Sequence, residues 1–175
     1  MTQPSSSQPT RRHLLQTLTG LCLAGTGSAQ ALDKPTGPVV LTLTGRVRST
    51  NDGARANFDM AMLERLPQTS FTTRTPWYAQ ARKFTGPLLR DVLAAAGAGG
   101  TLLRAVALND YWVEIPADDA ARHDVVVARL LDDKPMAVRD KGPLFMVYPF
   151  DAQPELRNPI YYSRSAWQLR TIEVR

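Results

Sequence analysis

Apolar and polar residues alternate in several short stretches of the chain, beginning at 39–47, where Leu41 and Leu43 alternate with threonines. Such alternation is typical of a strand with one buried and one exposed face. Other stretches, some more uniformly apolar, predict further strands at 68–75, 102–108, 111–115, 125–131, 144–148 and 168–174. Asn109-Asp110 separates two of these strands and predicts a tight hairpin turn.

Helical spacing of apolar residues occurs in only a few short segments. Asp59 is a suitable N-cap for a helix over 60–66, which Pro67 would end. The clearest helix is predicted at 88–96, where Pro87 opens the helix and Gly97 follows its end. One or two further helical turns are predicted at 117–123. Because short strands outnumber short helices, we predict a compact α+β domain that is mostly β.

The first 31 residues have the composition of a signal peptide. Arg11 and Arg12 precede a modestly apolar stretch, 14–23, which is too short and too polar to cross a bilayer as a stable helix. Ala29 and Ala31 form the small-residue pattern that signal peptidase recognises, so cleavage is predicted after Ala31. The product would be a periplasmic domain of residues 32–175 with no stable membrane insertion.

Two export routes fit this segment. The adjacent arginines resemble a twin-arginine signal, which carries proteins that are already folded. An ordinary secretory signal with two neighbouring arginines is the alternative. A lipoprotein anchor at Cys22 is disfavoured because Leu21 stands where a small residue is needed.

The charges of the predicted domain argue against a nucleic-acid partner. Without Arg11 and Arg12, the 21 basic side chains of the chain become 19, against 16 acidic ones, a net charge of +3. These charges are interspersed, so they form neither the basic stripe of a nucleic-acid-binding protein nor a patch for anionic membranes.

The predicted domain also has few residues for metal or nucleophilic chemistry. Cys22 leaves with the signal peptide, and His123 is the one histidine that remains. The domain can therefore form no disulfide, no thiolate metal ligand and no cysteine nucleophile. Carboxylates and one imidazole are a poor donor set for zinc or copper. The sequence also lacks the Gly-x-Ser-x-Gly elbow of hydrolases and the glycine-rich loops that bind nucleotide phosphates.

Aromatic and basic residues near predicted loops suggest a pocket for a flat anionic ligand. The alternative is that the aromatic rings fill the ends of a small β-rich core. Arg82 and Lys83 also precede the predicted helix at 88–96, where its first amides would favour an anion.

The order and spacing of several residue groups resemble a known family. These groups are Trp77, Phe84-x-Gly86-Pro87-Leu88-x-x-Asp91-Val92-Leu93, Asn109-Asp110-Tyr111 with Pro116, Gly142-Pro143-Leu144, and Trp167-x-Leu169-x-x-Ile172. Together they resemble the oxidoreductase molybdopterin-binding domain, the fold of sulfite oxidase and its bacterial relatives. The chain is similar in particular to short exported members that stand alone. The likeness covers nearly all of 32–175 and implies the mixed α+β fold of that family.

The chain departs from this family at the metal ligand. Catalytic members hold molybdenum through a cysteine thiolate, and alignment on Trp77 puts Thr73 at that position. A threonine hydroxyl is not a soft donor and cannot replace a thiolate. We therefore expect a non-catalytic periplasmic module, with no cofactor firmly implied, that binds a small anionic ligand or a partner protein of the periplasm or membrane.

Eight residues are expected to line the inherited cleft: Thr73, Arg74, Trp77, Tyr111, Arg139, Tyr148, Arg164 and Trp167. In the alternative function, an oxidoreductase or a subunit of one, the same cleft would hold molybdopterin by hydrogen bonds alone. A sensory partner that reports ligand binding to a membrane protein is a third possibility.

Overall fold

The computed structural model describes Met1, Thr2 and residues 32–175. The predicted signal peptide, apart from its first two residues, and the predicted cleavage site lie outside the described residues. The strands are β1 Val39–Gly45, β2 Ala56–Asp59, β3 Gln68–Thr73, β4 Arg82–Pro87, β5 Leu102–Ala107, β6 Trp112–Pro116, β7 Val126–Ala128, β8 Leu130–Leu131, β9 Lys134–Pro135, β10 Phe145–Val147 and β11 Leu169–Val174. The helices are α1 Met60–Arg65, α2 Leu89–Ala95, α3 Asp118–Arg122 and α4 Pro159–Arg164.

The last strand of the chain lies in the middle of the largest sheet, whose order is β2-β1-β11-β5-β6. Strand β11 runs parallel to β1, with Leu43 opposite Ile172, and antiparallel to β5. The inward residues of these strands are buried, as the alternating pattern predicts. The sheet therefore joins the two ends of the described domain through backbone hydrogen bonds.

The other strands form a four-stranded sheet, β3-β4-β8-β9, and a two-stranded pair, β10-β7. Strand β4 approaches β7 so closely that a Cβ atom on Gly86 would lie 2.1 Å from the carbonyl oxygen of Val127. A glycine is needed at this contact because any side chain would collide with backbone. The buried residues of all three sheets form one core, so the fold is a mixed α and β domain in which strands dominate.

Helix α1 confirms the predicted N-cap. Asp59 accepts a hydrogen bond from the amide of Met62 at 2.8 Å and another from the amide of Gly37 at 2.9 Å. These amides lower the pKa of the Asp59 carboxyl to about 2. Gly97 also follows α2 as predicted, with φ of +59°, a left-handed conformation that suits glycine at a helix C-terminus.

Helix α2 is confirmed to within one residue at each end, but Pro87 does not open it. Residues 82–87 form strand β4, so Pro87 ends a strand, and Leu88 is the N-cap. The amide of Leu89 donates to the carbonyl of Val125 at 2.7 Å. In β4, Arg82 lies 2.5 Å from Asp132 and Lys83 lies 2.8 Å from Asp133. Both cations are therefore already paired with carboxylates of the neighbouring hairpin instead of standing free at the helix start.

Two other boundaries also differ from prediction. The expected strand at 125–131 divides into β7 and β8 at Arg129, whose amide donates to Thr85 instead of continuing the β7–β10 pairing. Strand β2 was not predicted because its four residues are too few for a clear period. Within the described part of the chain, no helix has the length and apolar character needed to span a membrane.

Candidate functional site

A cleft of about 480 Å³ opens beside helix α4 and the β5–β6 hairpin. We call it the aromatic cleft. The segment after β3 forms one wall, and the segment between α4 and β11 forms another. None of its lining residues is charged, and four are tryptophan or tyrosine: Pro76, Trp77, Asn109, Tyr111, Pro159, Tyr162, Ser163, Ser165 and Trp167.

Trp77 is the residue around which this cleft is built. Its ring meets those of Phe145, Trp167 and Tyr162 edge to face, at centroid distances of 5.3, 5.5 and 6.2 Å. This geometry is favourable because the positive edge of one ring meets the negative face of another. Phe145 is fully buried, so the core holds Trp77 in place, whereas Trp167 remains 36% exposed at the cleft surface.

Tyr111 forms the opposite rim of the aromatic cleft and is 48% exposed. Asp110 adopts a left-handed conformation with φ of 63°, and Asn109 accepts a hydrogen bond from the Tyr111 amide. This turn carries Tyr111 towards α4, where its hydroxyl donates to the carbonyl of Ser163 at 3.3 Å. The predicted hairpin is confirmed, and it positions one wall of the cleft.

Thr73 and Arg74 lie outside the lining of the aromatic cleft. Thr73 is 1% exposed, and its hydroxyl accepts a hydrogen bond from the Asp151 amide at 2.9 Å. The same hydroxyl donates to the Arg74 carbonyl at 3.4 Å, while the Arg74 amide donates to the Asp151 carboxylate at 3.1 Å. The Thr73 hydroxyl therefore joins two segments of backbone.

We expect Thr73→Val to lower the free energy of unfolding by about 1–2 kcal/mol, because it leaves the partly buried Asp151 amide unpaired. Thr73→Ser keeps the hydroxyl and should cost less than Thr73→Val. Urea unfolding of the three proteins compares these values. Equal stability of the serine and valine variants would contradict this structural role.

Tyr148 and Arg164 share one buried carboxylate. Asp119 accepts hydrogen bonds from the Tyr148 hydroxyl at 2.7 Å and from the Arg164 guanidinium at 2.9 Å. Tyr148 is fully buried, and Asp119 is 6% exposed. We call these three residues the Asp119 cluster. It ties α3 to the segment after β10 and to α4, the helix that bears part of the aromatic cleft.

The Asp119 cluster predicts a loss of stability in alkali. Burial, together with the hydrogen bond to Asp119 and its negative charge, raises the pKa of Tyr148 far above the ordinary value near 10. Above pH 10 the unfolded chain releases the Tyr148 proton while the folded protein keeps it, so stability falls as pH rises. The expected slope is about 1.4 kcal/mol per pH unit.

Urea unfolding at pH 8–11 tests this expectation. Tyr148→Phe should be less stable than the wild type at pH 8, and its stability should fall less steeply above pH 10. Parallel curves for the two proteins would contradict the assignment.

Arg139 lines a second cleft of about 420 Å³, which we call the basic cleft. It lies beside the loop between β9 and β10. Its lining residues are Tyr78, Arg82, Leu131, Lys134, Pro135, Met136, Ala137, Arg139, Asp140 and Lys141. The Arg139 side chain is 87% exposed and its nearest carboxylate, Asp140, is 3.5 Å away. Arg139 is therefore a weakly paired cation at a cleft edge.

Three of the eight candidate residues thus meet in the aromatic cleft: Trp77, Tyr111 and Trp167. Tyr162 also lines this cleft but was not among the eight expected residues, although it is one of the aromatic residues near predicted loops. Lys141, which lines the basic cleft, was also not among the eight residues. In both cases the residue type was informative, but only the fold shows which side chains reach a cleft.

Comparison of the chain with models of known protein families found no match, and comparison with curated proteins found none either. The function proposed below therefore depends on the geometry of the two clefts and on the chemistry of their residues.

Proposed function

We propose that this protein is an exported, periplasmic binding module of the molybdopterin-binding fold, and that the aromatic cleft binds a small ligand or a segment of a partner protein. The observation that supports this most directly is the uncharged, concave surface made by Trp77, Tyr111, Tyr162 and Trp167. Clefts of this size, lined by aromatic rings and a few polar groups, are typical ligand sites.

The residues present do not fit a molybdenum centre. Thr73 stands at the family's thiolate position, and its hydroxyl already takes part in two hydrogen bonds. Among residues 32–175, no group of three or more His, Cys, Asp or Glu side chains could hold a metal ion. Catalytic members of the family hold their metal through a cysteine thiolate, and 32–175 contains no cysteine.

Analysis of the purified exported protein for molybdenum and pterin tests the first part of the proposal. We expect neither at more than trace levels relative to protein. Stoichiometric metal or pterin would overturn the proposal and favour an oxidoreductase that holds its cofactor by hydrogen bonds.

Screening of small aromatic compounds and proline-containing peptides by NMR tests the second part. The chain has three tryptophans, and Trp77 and Trp167 line the aromatic cleft whereas Trp112 does not. Binding should therefore shift the indole N–H signals of Trp77 and Trp167 and leave that of Trp112 unchanged.

Replacing Tyr111 by alanine should weaken binding of any compound found in this way by about tenfold, since a tyrosine at the rim of a cleft supplies a large contact area. Trp112→Ala is a matched control because Trp112 is the next residue and is 50% exposed, compared with 48% for Tyr111. Titration calorimetry of the three proteins gives the comparison. An equal loss of affinity in both variants would argue against binding in the aromatic cleft.

A further inference from the structure

Lys141 is placed at the boundary between the two clefts. Its ammonium lies 5.1 Å from the centroid of Trp167, which lines the aromatic cleft, and 5.7 Å from that of Tyr78, which lines the basic cleft. Cations are attracted to the faces of such rings, so the two aromatic side chains hold the ammonium between Trp167 of one cleft and Tyr78 of the other.

The backbone around Lys141 is fixed by the residue that follows Trp167. The backbone amide of Gln168 donates to the Lys141 carbonyl at 2.9 Å, and the side-chain amide of Gln168 donates to the Val138 carbonyl at 2.7 Å. A cation that is already positioned loses less conformational freedom when it binds an anion. Lys141 is therefore preorganised beside the aromatic cleft.

The charges near Lys141 leave it available to an anion. Lys141 makes no salt bridge to another residue of 32–175, and the lining of the aromatic cleft contains no carboxylate. In the basic cleft, Arg82 is paired with Asp132, which leaves Lys134, Arg139 and Lys141 against Asp140, a net charge of +2. The potential around Lys141 is therefore positive.

We infer that the ligand of the aromatic cleft is an aromatic carboxylate, whose ring lies among the aromatic side chains and whose carboxylate faces Lys141. This inference rests on the proposed function and names the ligand class for the same site. An uncharged ring would contact the aromatic side chains but would leave Lys141, beside Trp167, without an anionic partner. A carboxylate on the ring matches both the apolar wall and the adjacent cation.

The test uses 2-naphthoate and its neutral amide, 2-naphthamide, which differ in charge but little in shape. Calorimetric titration of the exported domain should show that the carboxylate binds about fivefold more tightly than the amide. Raising the salt concentration should weaken binding of the carboxylate and leave binding of the amide nearly unchanged.

Lys141→Gln should bring the two affinities together, and Lys141→Arg should restore the preference for the carboxylate. Lys34→Gln is the matched control, because Lys34 also makes no salt bridge within 32–175 but lines neither cleft. Its preference should equal that of the wild type.

The outcomes separate this inference from the proposed function. Equal affinities for both compounds in the wild type would overturn the carboxylate inference, and so would an unchanged preference in Lys141→Gln. In either case, a loss of binding in Tyr111→Ala would still support binding in the aromatic cleft. If neither compound binds, the inference fails, and the wider NMR screen decides the proposed function.

Discussion

Replacing Asp119 by alanine is expected to lower the free energy of unfolding by about 3 kcal/mol. The change leaves the Tyr148 hydroxyl without its acceptor and leaves the Arg164 guanidinium, whose side chain is 20% exposed, without its carboxylate. Removing one partner of a buried ion pair costs about 3–5 kcal/mol, and the partial exposure of Arg164 places this site at the lower end. Urea unfolding at pH 7 measures the change.

Asp118 provides a matched control on the same helix. Its carboxylate lies 3.0 Å from Arg122, and both side chains are more than 70% exposed. A pair in this position is worth less than about 1 kcal/mol, so Asp118→Ala should have a small effect on stability. A similar loss of stability in Asp118→Ala and Asp119→Ala would show that the Asp119 cluster has no special role.

Replacing Phe145 by alanine is expected to cost about 3–5 kcal/mol, the range for loss of a large aromatic side chain from a core. Phe145 is fully buried, and its ring packs against those of Trp77, Phe84 and Trp167 at centroid distances of 5.3, 5.7 and 6.2 Å. The substitution therefore removes the support beneath the two tryptophans of the aromatic cleft.

Two measurements check this expectation. Urea unfolding gives the loss of stability, and the indole N–H signals of Trp77 and Trp167 should broaden or move while that of Trp112 stays in place. Phe145→Leu keeps most of the buried volume and should cost much less. Sharp, unmoved tryptophan signals in Phe145→Ala would contradict the view that this ring shapes the cleft.

Local features of the fold were predictable from the sequence because they depend on neighbouring residues. The Asp59 cap, the Gly97 helix end and the hairpin at Asn109-Asp110 each involve atoms that lie within a few positions of one another. Strand β4, at 82–87, was not predicted for the opposite reason. Its strand conformation depends on pairing with β3 and β8, which no local pattern shows.

The sequence predicted that aromatic residues would form the candidate site, but it did not predict which of them would line the cleft. Trp77, Tyr111 and Trp167 meet in one cleft, whereas Tyr148 turns to Asp119 inside the core. Both outcomes are compatible with an aromatic residue beside a loop. Burial and hydrogen bonding decide between them, and these depend on segments far apart in the chain.

The sequence by itself determined that residues 32–175 contain no thiol and one histidine, and that short alternating strands would dominate the fold. The tertiary structure decided which side chains form the aromatic cleft and that Lys141 lies beside it without a salt bridge inside the domain. The physical reason is distance along the chain. The ring centroids of Trp77 and Trp167 lie 5.5 Å apart because Phe145 in β10 pairs with Trp167 before β11 and packs against both indole rings.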